Sequence, residues 1–268
     1  GMRVDARRIE SVLNRRQLEP VAPQTVRDPR IREYIVRESR NFLDALPQII
    51  PTFWLNHPDQ NRVASRKPYQ LLLAKTLGFS VPPTTITNNP EDAGSFVNSM
   101  HGDIAAKTLW TPGISVSDED GTERHFTLYT AKQSRERALA DIAKVRNCPT
   151  VFQPYVEKAF ELRITVVGNR AFSCAIHSQK SEKTRHDWRN YDLANTPHES
   201  HQLPMAVEER CVRLVQELGL SFGCIDMIVT PSGDYVFLEI NPNGQWLWIE
   251  HLTKMPISDA VADLLANP

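Results

Sequence analysis

The chain has little cysteine, no long apolar run and almost no net charge. Its four cysteines, Cys148, Cys174, Cys211 and Cys224, have neither the spacing of a zinc site nor that of a CxxC redox pair. Cys174 and Cys224 fall in apolar, strand-like runs, and Cys211 lies on the apolar side of a helical pattern. They read as small buried hydrophobes in a reducing compartment. No apolar stretch approaches the length of a membrane span and no signal peptide opens the sequence, so the expected location is the cytoplasm, with no membrane partner. A formal net charge of −1 leaves no global basic field of the kind that nucleic-acid binders carry. The arginines between Arg3 and Arg40 are interspersed with Asp5, Glu10, Glu19, Asp28, Glu33 and Glu38, and read as a solvated mixed-charge face. Gly1 before Met2 reads as a scar of tag removal.

With 268 residues, 41% hydrophobic and 24% charged, the chain suits one large domain or two small ones with a real core. Asp28-Pro29 opens a helix carrying Ile31, Ile35, Phe42 and Leu46, which Pro47 and Pro51 should end. Ile49-Ile50 and Phe53-Trp54-Leu55 suggest a short buried strand interrupted by proline. Pro68 sits in the first turn of a second helix and Gly78 stops it. Val81 to Ile86 is extended, Asn89-Pro90 starts a helix, and Ile104 to Leu109 reads as a strand. Leu128-Tyr129 is a brief strand and Lys132 to Val145 a polar helix. Leu162 to Val167 and Ala171 to Ile176 form a hairpin through Gly168-Asn169. A polar loop from Ser178 to Pro204 is long enough to suggest a functional segment. Val207, Cys211, Leu214, Val215 and Leu218 mark a helix closed by Gly219, and a last hairpin and a carboxyl-terminal helix ending near Leu265 follow. Helices and hairpins are mixed, so the fold class is α+β.

The last hairpin carries the sharpest signal. Cys224 to Val229 and Tyr235 to Asn241 are strand patterns around the turn residues Thr230 to Asp234. If Thr230 pairs with Tyr235, Asp226 falls opposite Glu239, and Asn241 shares the face of Glu239. Cross-strand partners lie only ~5 Å apart. Two carboxylates that close repel unless a cation lies between them. Hard oxygen ligands favour magnesium, which keeps water and substrate phosphate in its other positions. Asp226, Glu239 and Asn241 are therefore the candidate metal ligands. The bland alternative, carboxylates facing solvent from a sheet edge, fits poorly with their place inside apolar strands. Trp246 and Trp248, two residues apart, cannot share one helix face, so one can be core and the other a binding surface.

Gly223 to Asp226, followed by Phe237-Leu238-Glu239-Ile240-Asn241-Pro242-Asn243-Gly244, resembles the carboxyl end of the ATP-grasp ligases. The longer string to Glu250 resembles the ribosomal-peptide maturases that make microviridins and related graspetides. Phe53 to Pro58, Gln153 to Lys158, Glu161 to Gly168 and Asp187 to Ala194 agree in the same order. The resemblance implies an ATP-grasp fold in which two α+β subdomains clamp a nucleotide. A residual, truncated pre-grasp region would occupy 1–56, a small subdomain 57–153, and a carboxyl-terminal subdomain with the metal site 154–268. It further implies ATP and Mg2+ as cofactors. Lys67 and Lys107 would contact phosphates, and Gln153, Tyr155 and Val156 would form the hinge that reads adenine. Glu161 would hold the ribose. Arg163, Arg185 and Arg189 would be the catalytic arginines beside the phosphates and the acyl phosphate.

The implied activity is an ATP-dependent ligation. A carboxylate takes the γ-phosphoryl of ATP and the acyl phosphate is attacked by an amine or hydroxyl. In the graspetide maturases both groups belong to a precursor peptide, and the product is a side-chain ester or amide. Addition of a free amino acid to a peptide or small carboxylate, and a non-catalytic nucleotide-binding module, are the alternatives. No Ser, Cys or His nucleophile is needed, and His177, His186 and His201 are candidates only for general-base work. Two features depart from the family. Pro154 stands where it carries an acidic acceptor for the adenine amine, and proline also lacks an N–H. The front is short, which leaves a partner chain, a homodimer that completes it, or a stripped-down ligase.

Overall fold

A computed structural model describes residues 5–15, 17–110, 113–118, 122–127 and 130–268. Strand β1 (Ser11–Leu13) pairs in parallel with β2 (Phe53–Leu55), and helix α1 (Pro29–Ile49) lies between them in sequence. Asp28 caps α1 by accepting from the Arg30 N–H, but Pro47 does not end it: the helix runs one half-turn further, with Pro47 buried. Ile49 is therefore helical, and the strand expected there begins only at Phe53. Ile31 and Phe42 of α1 are exposed. The amino-terminal arginines form exposed ion pairs, Arg7 with Asp5, Arg30 with Asp28 and Arg37 with Glu33. Two short helices follow, α2 (Pro58–Ala64) and α3 (Lys67–Thr76); Gly78, at φ 82°, ends the second. No described helix is long and apolar enough to cross a membrane.

The next part is a four-stranded antiparallel sheet built from β3 (Thr85–Thr87), β4 (Ile104–Lys107), β7 (Ala131–Gln133) and β8 (Thr150–Pro154), in the order β3-β8-β4-β7. Strands β5 (Gly113–Ser117) and β6 (Glu123–Thr127) form a separate hairpin. Helix α4 (Pro90–Ser99), capped by Asn89, and α5 (Arg135–Ala140), capped by Ser134, cover one face of the sheet. Ala93, Val97, Ile104, Ala138, Val145 and Phe152 fill that side. The single helix expected from Lys132 to Val145 is instead a strand, the α5 turn and a 3-10 segment (Ile142–Asn147). The Ser134 hydroxyl, accepting from the Arg137 N–H, resets the chain between strand and helix. The strand expected at Leu128-Tyr129 lies outside the described residues.

The carboxyl-terminal part is a five-stranded antiparallel sheet in the order β11-β10-β9-β12-β13, made of β9 (Phe160–Val167), β10 (Arg170–Ile176), β11 (His198–Ser200), β12 (Phe222–Val229) and β13 (Tyr235–Asn241). Gly168, at φ 57°, makes the β9–β10 turn. Residues of β9 alternate between two cores. Leu162, Ile164 and Val166 pack under α6 (Met205–Glu217), with Cys211, Leu214, Val215 and Phe237. Val167, Cys174, Phe222 and Cys224 point the other way, against α7 (Leu247–Thr253) and α8 (Ile257–Ala266), where Trp246, Ile249 and Ile257 are buried. Full burial of each such aliphatic side chain contributes roughly 1.5–3 kcal/mol. That apolar frame holds the polar members of β9, Glu161, Arg163 and Thr165, rigidly between its hydrophobic ones. The cysteines are free; Cys174, Cys211 and Cys224 are buried as expected, whereas Cys148 is exposed.

Candidate active site

One cavity of about 360 Å³ lies between the two sheets. One wall is the face of the four-stranded sheet that shows Ala105, Lys107, Val151 and Gln153; the opposite wall carries Glu161, Asp226, Ile228, Glu239 and Asn241. Lys67 enters from the first residue of α3, and the long loop after β10 contributes His186, Asp187, Trp188 and Arg189.

Asp226 does face Glu239 across β12 and β13, but by a different route from the one the turn suggested. Val229, not Thr230, pairs with Tyr235. Left regular, that register would put Leu238 opposite Asp226. A bulge between the Met227–Phe237 and Asp226–Glu239 pairs leaves Leu238 as the extra residue, and Glu239 takes the place. On its other side Asp226 pairs with Arg163 of β9. The three side chains share one sheet face, and Arg163 Nη1 donates to both Asp226 carboxylate oxygens at 2.9 Å. Lys67 Nζ lies 3.1 Å from Glu239 Oε2 and donates to the Thr108 carbonyl at 3.1 Å. Asn241, two residues beyond Glu239, lines the cavity, and its Oδ1 accepts from the Asn243 N–H at 3.0 Å.

Burial pushes the Asp226 carboxyl up, Arg163 opposes this, and the nearby Glu239 charge adds to it. Glu239 is held below its ordinary value: burial works against this, but Lys67, Arg189 and Lys107 together outweigh it. Lys107 is lowered to about 8, chiefly by burial, with Glu239 opposing and Lys67 and Arg189 reinforcing. Its ammonium donates to Gln153 Oε1 at 2.9 Å, and the Gln153 amide donates to Thr84 Oγ1 at 2.9 Å. One buried and one half-buried carboxylate, Asp226 and Glu239, thus stand among four cations in the cleft. Among the described residues no three His, Cys, Asp or Glu side chains are grouped to hold a metal by themselves. The donors present are hard oxygens with unused lone pairs, a set that suits magnesium completed by phosphate and water rather than a closed protein cage.

At the other end the walls are mostly apolar: Leu71, Pro82, Ala105, Pro154, Val156, Ile228 and Leu238. Pro154 ends β8, and the Tyr155 N–H is spent on the Asp103 carbonyl at 2.8 Å. The Val156 N–H has no hydrogen-bond partner among the described residues. Glu161 is buried with Lys158, Nζ to Oε1 2.8 Å, and burial raises its carboxyl despite that partner.

Of the residues singled out from sequence, Lys67, Lys107, Gln153, Tyr155, Val156, Glu161, Arg189, Asp226, Glu239 and Asn241 line the cavity. Arg163 stands directly behind Asp226. Arg185 is not brought there: its side chain is 48% exposed, 4.0 Å from Glu182. Of the three histidines, His186 lines the cavity, its Nδ1 3.5 Å from the Tyr155 hydroxyl, whereas His177 and His201 flank Phe160. Trp246 is core and packs on Phe222; Trp248 stacks on Trp188, ring centroids 5.2 Å apart.

Sequence reasoning missed Asp187, Lys158 and Gln70. Asp187 is buried and grips Arg189 with both oxygens, at 2.8 Å to Nε and 2.5 Å to Nη2. Arg189 is pushed up by that bond against the cost of burial, and Asp187 is held down by Arg189 against its own burial. An aspartate two residues before an arginine is the local signal that could have found it, since its side chain also accepts the Arg189 N–H at 3.0 Å.

No protein-family model matches the sequence, and no curated protein does. Solved structures do. The macrocyclase MdnC of Microcystis aeruginosa MRC, bound with precursor peptide MdnA, is 30% identical, with a TM-score of 0.84 over 99% of this chain and 80% of that one. The macrocyclase MdnB of the same organism is 31% identical, with a TM-score of 0.76 and the same coverage. A RiPP-associated ATP-grasp ligase of Chryseobacterium gregarium, in complex with ADP and a leader and core peptide, is 32% identical. Its TM-score is 0.87, over 96% of this chain and 76% of that one. A shared fold at this level of identity, over nearly the whole length of the chain, leaves one conclusion: it belongs to the RiPP-associated ATP-grasp ligases, the graspetide-type maturases whose motifs its sequence resembles.

Proposed function

We propose that this ligase consumes ATP to activate a side-chain carboxylate of a ribosomal precursor peptide as an acyl phosphate. A hydroxyl or amine of the same peptide then closes an ester or amide crosslink. The observation that carries the reading is the opposition of Asp226 and Glu239 across β12 and β13, with Lys67, Lys107 and Arg189 facing them over one cavity.

Phosphoryl transfer asks for positioning and charge neutralisation more than for covalent catalysis. Lys67 and Lys107 would hold the phosphate chain as point charges from opposite sides of the cleft. Asp226, Glu239 and Asn241 would hold Mg2+, which supplies charge neutralisation at the phosphates. Arg163 opposes the burial that pushes the Asp226 carboxyl up. Arg189, locked by Asp187, presents the rest of its planar fork to the transferred phosphoryl group or the incoming carboxylate. The arrangement favours Arg189 over the exposed Arg185 for that task. The Val156 N–H and the apolar end of the cavity suit an adenine ring, and Glu161 suits the ribose hydroxyls. On this reading 57–153 and 154–268 are two jaws joined at the Tyr155–Val156 hinge, with 1–56 as pre-grasp structure. Without an acidic side chain at position 154, base recognition falls to the backbone alone.

Incubation with Mg2+, ATP and a Thr- and Asp/Glu-bearing candidate precursor should yield ADP and a peptide that has lost one water per crosslink. Glu239→Gln should abolish both. A gain of one amino-acid mass in place of water loss would favour amino-acid ligation.

A further inference from the structure

Ile240 sits between Glu239 and Asn241 on the outer strand of the five-stranded sheet. Both of its backbone polar groups are taken by one side chain. Gln70 Oε1 accepts from the Ile240 N–H at 3.2 Å, and Gln70 Nε2 donates to the Ile240 carbonyl at 2.8 Å. The same Nε2 donates to the Ala64 carbonyl at 2.6 Å. Gln70 is buried in α3, three residues after Lys67 and on the same helix face. One face of α3 therefore grips Glu239 by its carboxylate and Ile240 by its backbone.

A second set of amides holds the following turn. Asn56, also buried, donates to the Pro242 carbonyl at 3.1 Å and to Asn61 Oδ1 at 3.0 Å. Asn61 Nδ2 donates to Asn243 Oδ1 at 3.2 Å, and the Asn243 N–H donates to Asn241 Oδ1 at 3.0 Å. The chain of bonds ends on the side-chain oxygen of Asn241, a residue that lines the cavity. A side-chain amide at a strand edge replaces the missing neighbour strand, and amides in series polarise one another.

We propose that Gln70 and Asn61 are positioning residues: an amide clamp from α2 and α3 fixes the separation of the Glu239 and Asn241 oxygens and thereby sets the affinity of that site for its cation. The inference rests on the reading of Asp226, Glu239 and Asn241 as a magnesium–nucleotide site. Side chains alternate along a strand, so a rotation of the backbone at Ile240 swings Glu239 and Asn241 apart. Magnesium tolerates little of that, since it demands near-octahedral geometry at about 2.0–2.1 Å.

The test is Mn2+ uptake by the ADP-bound protein, read from the loss of the free Mn2+ electron paramagnetic resonance signal, beside ADP binding measured without metal. Gln70→Met keeps length and removes the amide. It should weaken Mn2+ uptake by about ten-fold or more, as the loss of supporting hydrogen bonds does at metal sites, and change metal-free ADP binding by less than about two-fold. Asn61→Ala should act in the same direction, and decides the matter alone if Gln70→Met does not fold. Mn2+ uptake equal to wild type, or metal-free ADP binding lost in step with it, would overturn the clamp. Glu239→Gln separates the two readings. If the wild-type protein takes up no Mn2+ with ADP, or Glu239→Gln does not lower uptake, the metal-site reading falls and the clamp with it.

Discussion

Arg163 Nη1 stands 2.9 Å from both carboxylate oxygens of Asp226, with the two side chains 6% and 12% exposed. Removing one member of such a pair strands the other charge in a buried site, which costs about 3–5 kcal/mol. Arg163→Met should lower unfolding free energy by about that amount in urea titration, and Arg163→Met with Asp226→Leu should recover most of it without restoring ligation. A single variant within about 1 kcal/mol of wild type would show that the pair is better solvated than its burial indicates.

Lys107 carries a pH dependence. Its folded-state value is lowered to about 8, so the free protein loses this ammonium as pH rises through that point, and with it a phosphate contact. The kcat/KM for ATP should therefore fall above about pH 8, since that parameter reports the free enzyme. Lys107→Arg, whose guanidinium stays protonated, should remove this alkaline limb even if its absolute rate is lower. An unchanged limb in Lys107→Arg would assign the titration elsewhere.

Gly244 has no room for a side chain: an added Cβ would lie 2.6 Å from Arg163 Nη2 and crowd Cys224. Its carbonyl also accepts from Arg15 Nη1 at 3.3 Å. Gly244→Ala should cost about 1–3 kcal/mol by overpacking, measured by thermal or urea unfolding. It should also weaken nucleotide binding, because the turn it displaces begins at Asn241.

Arg189 and Arg185 should separate cleanly. Arg189→Lys loses the bidentate grip of Asp187, and turnover should fall by about 10²-fold or more with little change in KM for ATP. Arg185→Ala, which removes an exposed guanidinium, should change either parameter by no more than about three-fold. Equal losses would mean that the long loop swings Arg185 inward during the reaction.

The sequence carried the site better than the frame around it. Asp226, Glu239 and Asn241 were legible because charged and polar residues interrupt two apolar strands at spacings a hairpin must bring together. The bulge at Leu238 was not, because a one-residue shift leaves no mark in an alternating pattern; the right pairing emerged from a turn read one residue too short. Proline at position 47 promised a helix end and delivered only a buried ring in the last turn of α1. The parallel pairing of β1 with β2 depends on contacts across some forty residues that no local pattern encodes. Gln70 escaped notice for a related reason: it acts on the backbone of Ile240, 170 residues away, and nothing in its own neighbourhood announces that partner.

The central claim is an acyl phosphate formed from a peptide carboxylate within this cavity, and heavy oxygen tests it most directly. A precursor peptide labelled with heavy oxygen in its Asp and Glu carboxylates is turned over with Mg2+ and unlabelled ATP, and the released phosphate is analysed by mass spectrometry. One labelled oxygen should appear in phosphate for each crosslink formed, and none in ADP. Crosslinked peptide accompanied by unlabelled phosphate would contradict the account.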